Sequence, residues 1–149
     1  MTEKPRRINV IKADFTSPFY KFHITNIRRK VFVEEQGVAR EEEFDQFEDE
    51  SQHFLVMFGY SKAGTARWRT TGDGIKLERF AVLPKHRNSG VGSALVKAVL
   101  FDVMDKGKKI YLHAQLRAIP LYERNGFVKE GNMFSECNID HFKMVYKPS

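Results

Sequence analysis

Among 149 residues there is one cysteine, Cys137. No internal disulfide can form, which excludes a disulfide-stapled scaffold and agrees with a reducing compartment. A free cysteine usually behaves as a small buried hydrophobe, and Cys137 is expected to be one. No apolar run reaches the ~18 to 20 residues that a membrane span needs, and "MTEKPRRINV" has no apolar core behind its charges to serve as a signal peptide. The expectation is a cytoplasmic chain with no membrane partner. Internal repeats, low-complexity tracts and interdomain linkers are also missing, so residues 1–149 read as one domain. Five histidines without metal-ligand spacing argue against a structural zinc, and no metal is expected.

Acidic residues are scarce except in one stretch. Residues 31–61 hold nine acids against one base, Arg40, so the rest of the chain is far more basic than the net +6 suggests. Basic surface suits phosphate-bearing partners, whereas an acidic wall from Glu41 to Asp45 suits a cation such as a polyamine or a protein lysine. A charge run is more often a solvated face, and that is the expectation here. Nucleic acid is not the expected partner: there is no recognition-helix pattern and no aromatic-and-basic strand signature, and the acidic stretch would repel a backbone.

Thirteen phenylalanines and 42% hydrophobic content are enough for a globular core. "RINVIKA" alternates as a first strand. Ser17 before Pro18 reads as a helix cap with proline at the first helical position, and Phe19, Ile24, Ile27 and Val31 fall on one face of a helix that stops before Gly37. The acidic stretch reads as a loop with a short helix, anchored by Phe44 and Phe47. From "HFLVMFGY" to "KLERFAVL" the pattern is a three-stranded antiparallel meander turning at "SKAG" and "TGDG". A helix over about 90–106 follows, with Val91, Leu95, Val99 and Val103 in its apolar stripe. "KIYLHAQ" is a strand, "AIPLYERNGF" a short helix and "HFKMVYK" a last strand. The expected fold class is α+β, a mixed, mostly antiparallel sheet flanked by helices.

"FAVLPKHRNSGVGSALVKAVL" runs from strand through a small-residue turn into that helix. A helix start leaves backbone N–H groups unpaired and favours an anion. Gly90 and Gly92 let a bulky anion approach the backbone, and Arg87 adds a forked cationic donor. A P-loop is excluded because Ser93-Ala94 follow Gly92 where lysine and Ser/Thr would stand. A dinucleotide fingerprint fails at Leu95, where a third glycine is required.

"RNSGVG", Arg87 to Gly92, resembles the R-x-x-G-x-G turn of the GNAT superfamily of acyl-CoA-dependent N-acyltransferases. "QLRAIPLYERNGF" is similar to that superfamily's second recurrent block. "RRKVFVEEQGV" and "FSECNIDHFKM" resemble its small bacterial YjcF-like and ElaA-like branch. The resemblance covers nearly the whole chain. Two departures stand out: Gln115 where asparagine is frequent, and Cys137-Asn138 where the branch usually has a small residue and glycine.

The resemblance implies the GNAT fold, with a bulge in the Phe80 strand that splays it from its neighbour, and an N-acetyltransferase that uses acetyl-CoA. The backbone of Phe80, Ala81 and Val82 would pair with the pantetheine arm. N–H groups of Asn88, Ser89, Gly90, Val91 and Gly92, with Arg87, would hold the pyrophosphate, and Gln115 would make a further contact. A primary amine, of a small molecule or a lysine, would attack the thioester directly, with an oxyanion at a backbone N–H near Val82. Tyr122 is the matching acid for the leaving thiolate. Glu78 is the candidate base, because alternation puts it on the face of Phe80 and Val82. Its alternative is a cross-strand ion pair with Arg67, Arg69 or Arg79, a water relay then leading to a remote base. His53, His113 and His141 are candidates for the acceptor side, and direct transfer needs no Cys137–His141 nucleophile. Homodimers are common in the superfamily. The alternative function is a non-catalytic acyl-CoA-binding sensor.

Overall fold

The structure, a computed structural model, describes residues 7–148. Residues 1–6, part of the charged start read for the absence of a signal peptide, lie outside the described residues. Strand β1 (Ile8–Ala13) leads into α1 (Pro18–Arg28), where Pro18 stands at the helix entrance after Ser17. The helix then widens into a π-helical stretch, Arg29–Glu35, and ends before Gly37. A four-residue helix α2 (Arg40–Glu43) follows, then the meander β2 (Gln52–Phe58), β3 (Ser61–Thr71) and β4 (Gly74–Val82). Helix α3 (Val91–Val103) crosses over to β5 (Ile110–Gln115), and α4 (Ile119–Arg124), β6 (Phe127–Glu136) and β7 (Ile139–Tyr146) complete the chain.

The strands form one sheet in the order β1-β2-β3-β4-β5-β7-β6, antiparallel except where β4 meets β5. This is the expected mixed sheet. Its faces are covered by different helices. Val91, Leu95 and Val99 of α3 pack on Ile75 and Leu77, while Ile24, Ile27 and Val31 pack with Leu55 and Ala81 on the other face. Among the described residues no helix is long and apolar enough to cross a membrane.

Three local expectations are corrected. Phe19 is 54% exposed rather than on the buried face of α1, because five residues separate it from Ile24 and a 3.6-residue period carries it round the helix. The first meander turn is Gly59-Tyr60; "SKAG" belongs to β3, whose Ala63 is fully buried. Strand β6 carried no sequence signal because it is an edge strand with most side chains in water, and its register shifts between Glu130 and Phe134.

Two backbone features shape β4. Thr65 pairs with Ala81 but Arg67 pairs with Glu78, so β4 carries one extra residue there, and Arg79 sits at φ 61°. This is a β-bulge, and it reverses which side chains face which side of the sheet. Opposite the strand's end stands Gly64, paired with Val82; a Cβ there would lie 2.6 Å from the carbonyl oxygen of Ala81. Gly64→Ala is therefore expected to push β4 away from β3 and cost roughly 1–3 kcal/mol, read as a lower urea midpoint with an unchanged slope.

Candidate active site

β4 and β5 are paired only where Ile75, Lys76 and Leu77 face Ile110, Tyr111 and Leu112. Beyond Leu77 the bulge turns β4 aside, and a cleft of about 810 Å³ opens between the strands. Residues from both sides of the sheet line it. Phe80, Val82 and Tyr122 come from the α3 side; Lys76, Glu78, His113 and Gln115 come from the α1 side.

At one end, β4 runs through a short 3₁₀ turn, Pro84–His86, into Arg87–Gly90. Asn88 (φ 61°) and Gly90 (φ 85°) are both left-handed, and the Ser89 hydroxyl donates to the carbonyl of His86. A Cβ at Gly90 would meet only Ile8 Cδ1 at 3.6 Å, so glycine is required by the backbone angle rather than by space. The first helical bond of α3 runs from the Ala94 N–H to the Gly90 carbonyl. The N–H groups of Val91, Gly92 and Ser93 therefore have no acceptor within the helix, and Gly92 and Ser93 line the cleft.

The Arg87 side chain is engaged. Its Nε donates to the Val82 carbonyl at 2.9 Å, and its two terminal nitrogens clasp Glu35 at 2.6 and 2.7 Å. That bidentate pair holds the Glu35 carboxyl below its usual range and raises the guanidinium of Arg87 further. From the next residue, Gln36 Oε1 accepts from Gln115 Nε2 at 2.8 Å. Glu35 and Gln36 thus touch both side chains that the resemblance assigned to the cofactor. They were not singled out in the sequence, although "VEEQG" held them within a recurrent block.

Tyr122 is buried, edge-on to Phe80 (5.8 Å between centroids) and Phe127 (6.0 Å). Burial raises its pKa above the usual phenol value, and its hydroxyl has no hydrogen-bond partner among the described residues. Glu78 is not on the same face as Phe80 and Val82. The bulge intervenes, so the carboxylate faces the α1 side with its partner Arg67. Oε1 accepts from Arg67 at 3.1 Å and Arg69 at 2.5 Å; Oε2 lies 3.6 Å from Arg79 and 3.8 Å from Lys76. Burial pushes this carboxyl up, but Arg67, Lys76 and Arg79 outweigh it, and the pKa ends below the ordinary value.

The acidic stretch is a solvated face only in part: Glu41, Glu42, Asp49 and Glu50 are exposed, whereas Glu43, Asp45 and Glu48 turn inward. Arg67 is fully buried and bidentate to Asp45, at 2.7 and 3.0 Å, and also donates to Glu48. Arg28, equally buried, bonds Glu43 at 2.6 Å and both oxygens of Glu48. Arg79 reaches Glu43 and Asp45, each at 3.1 Å. Glu43, Asp45 and Glu48 neutralise arginines inside the fold, a pattern that sequence cannot distinguish from surface charge. His53 belongs to this cluster and not to the cleft: it stacks on Phe15 at 3.9 Å and bonds the Glu48 carbonyl. His113 and His141 do line the cleft, 3.4 and 3.8 Å from Glu136.

Cys137 is exposed, correcting the buried thiol. It occupies the β6–β7 turn with Asn138, both left-handed at φ 51° and 61°, and donates to Glu42 Oε2 at 2.7 Å. Partial burial and Glu42 raise the thiol to about 11, so it is not an activated nucleophile.

The profile of the acetyltransferase (GNAT) domain matches residues 24–148. The uncharacterised N-acetyltransferase YjcF of Bacillus subtilis is 40% identical over 121 residues, 80% of this chain and 86% of that protein. Among solved structures, Escherichia coli ElaA superposes with a TM-score of 0.80 at 21% identity, covering 95% of this chain and 99% of its own. A Bacillus subtilis acetyltransferase in complex with CoA superposes with a TM-score of 0.72 at 13% identity, covering 96% and 100%.

Asp45 supplies a pH test. Burial raises its pKa, but the Arg67 hydrogen bonds and the Phe47 N–H bring it down to about 2. A carboxyl depressed in the folded state stabilises the fold above its unfolded pKa of about 3.9, and that stability is lost as pH falls toward 2. Urea unfolding is expected to lose roughly 1–2 kcal/mol from this group over that window, after solvent screening. Asp45→Asn should lower stability at pH 7 and flatten this part of the decline.

Proposed function

The chain belongs to the GNAT acetyltransferase family and is an acyltransferase, and from that premise we propose that it transfers an acetyl group from acetyl-CoA to a primary amine by direct attack. One observation carries this: the β4–β5 cleft joins an open helix N-terminus at one end to a buried tyrosine and an ionised carboxylate on opposite walls. The CoA complex of the Bacillus subtilis relative in fold supports the donor class.

Acetyl-CoA supplies the activated thioester. On the chain's side, N–H groups from Asn88 to Gly92 bind the pyrophosphate, with Ser89 and Val91 presented by the left-handed turn and the first helical residue. Arg87 contributes once it exchanges the Glu35 carboxylate for the more highly charged anion. The unpaired edge of β4 at Phe80, Ala81 and Val82 receives the pantetheine arm as an added strand would, and Gln115 bonds it from the opposite wall. A backbone N–H near Val82 steadies the oxyanion.

Tyr122 donates a hydrogen bond to the departing sulfur. Its raised pKa keeps the phenol protonated across the working pH range, at the cost of a weaker driving force for transferring the proton to the thiolate. Glu78 faces the acceptor side, where Oε2 has no hydrogen bond among the described residues and can take the ammonium proton directly or through water. Its lowered pKa keeps it ionised, at the cost of a weaker driving force as a base.

Calorimetric titration with acetyl-CoA, followed by thiol release across a panel of amines, tests the proposal. Saturable binding with amine-dependent release is expected; binding without release makes the protein a sensor, and no binding removes the donor. Tyr122→Phe and Glu78→Gln should each lower kcat at least about tenfold while acetyl-CoA affinity is retained. Since Tyr122 stays protonated, its loss should not move the alkaline limb of the pH profile below about pH 10.

A further inference from the structure

Lys76 stands directly beside Glu78 on the α1-side wall of the cleft, with its side chain only 14% exposed. A lysine buried to that extent is normally paired. Its nearest carboxylate oxygen, Glu78 Oε2, is 3.8 Å away, and its ammonium makes no hydrogen bond among the described residues.

The neighbouring acids are already committed. Glu43 and Glu48 hold Arg28, Asp45 holds Arg67 and Arg79, and Oε1 of Glu78 holds Arg67 and Arg69. Four carboxylates therefore face four arginines, and Lys76 is left without a hydrogen-bonded partner of its own among the described residues. Glu136, across the cleft, stands near His113 and His141 and also feels the charge of Lys76, and Glu42 at the rim accepts from Cys137.

We infer that the amine acetylated by this protein carries a carboxylate, which Lys76 binds while the amino group faces Glu78. The inference rests on the transferase function proposed above. The charges of Lys76 and Glu78 alternate along one wall, matching the two ends of a zwitterion. A diamine would instead set a second cation against Lys76, with Arg69 and Arg79 close behind it. This argues against the polycation that the acidic stretch implied, because Glu43, Asp45 and Glu48 of that stretch are consumed by arginines.

The test compares amines that differ only in the remote group: 4-aminobutyrate, 4-aminobutyramide and 1,4-diaminobutane, with L-alanine and L-alaninamide as a short pair. Thiol release from acetyl-CoA is measured at equal concentrations of free amine. In the wild type, kcat/KM for each carboxylate should exceed that for its amide by at least about tenfold, the scale of one charge-assisted hydrogen bond. Lys76→Gln should bring this ratio to within about threefold, mainly through KM, Lys76→Arg should keep it, and Lys76→Glu should turn it toward the diamine. Preference of the wild type for the amide or diamine, or a ratio that survives Lys76→Gln, overturns the inference while leaving the transferase intact. Thiol release with none of these amines overturns it too; if acetyl-CoA binds and wider amine panels also fail, the transferase function falls with it.

Discussion

The buried guanidinium of Arg67 is the constraint around which the functional half of the molecule is arranged. An arginine on a central strand cannot be left unpaired, and its three partners come from distant parts of the chain: Asp45 and Glu48 from the acidic stretch and Glu78 from the next strand. Satisfying that one charge pins the stretch after α2 against the sheet and places Glu78 on the α1 side. Arg28 and Arg79 extend the same network through Glu43, which is itself 3% exposed. The wall of the acceptor end is thus built from charge neutralisation, not from hydrophobic packing. Such clusters specify geometry at little net gain in stability, since each ion's desolvation offsets its attraction.

The second constraint is the extra residue at Arg79. Without it, β4 would continue alongside β5 and the sheet would close over the space where the cleft lies. With it, the strand's side chains change sides between Glu78 and Phe80. A group suited to accepting a proton therefore stands on one face, and the aromatic pair Phe80–Tyr122 on the other. Glu35 and Gln36, at the end of the π-helical stretch, hold Arg87 and Gln115 on opposite sides of the same opening. Occupation of the cleft by an anion must compete with the first of these contacts.

Much of the fold is legible in the residues. The periodicity of Ile24, Ile27 and Val31, the stripe of Val91, Leu95 and Val99, and Pro18 at a helix entrance each report a local preference that the tertiary structure keeps. The "RNSGVG" turn is equally legible, because a left-handed glycine before an apolar helix is a property of a few consecutive residues. Strand β6 was invisible for the converse reason: an edge strand held by backbone pairing with β7 needs no apolar alternation.

By itself, then, the sequence determined the apolar stripes of α1 and α3 and the left-handed glycine turn before α3, since these depend on neighbours within a turn or two along the chain. The tertiary structure alone decided the side of the sheet on which Glu78 lies, the pairing of Glu43, Asp45 and Glu48 with arginines inside the fold, the exposure of Cys137, and the place of Lys76 beside Glu78 in the cleft. Each of these depends on long-range register. One inserted residue reverses a strand's faces, and a carboxylate's role is set by which cation, tens of residues away, folding brings beside it.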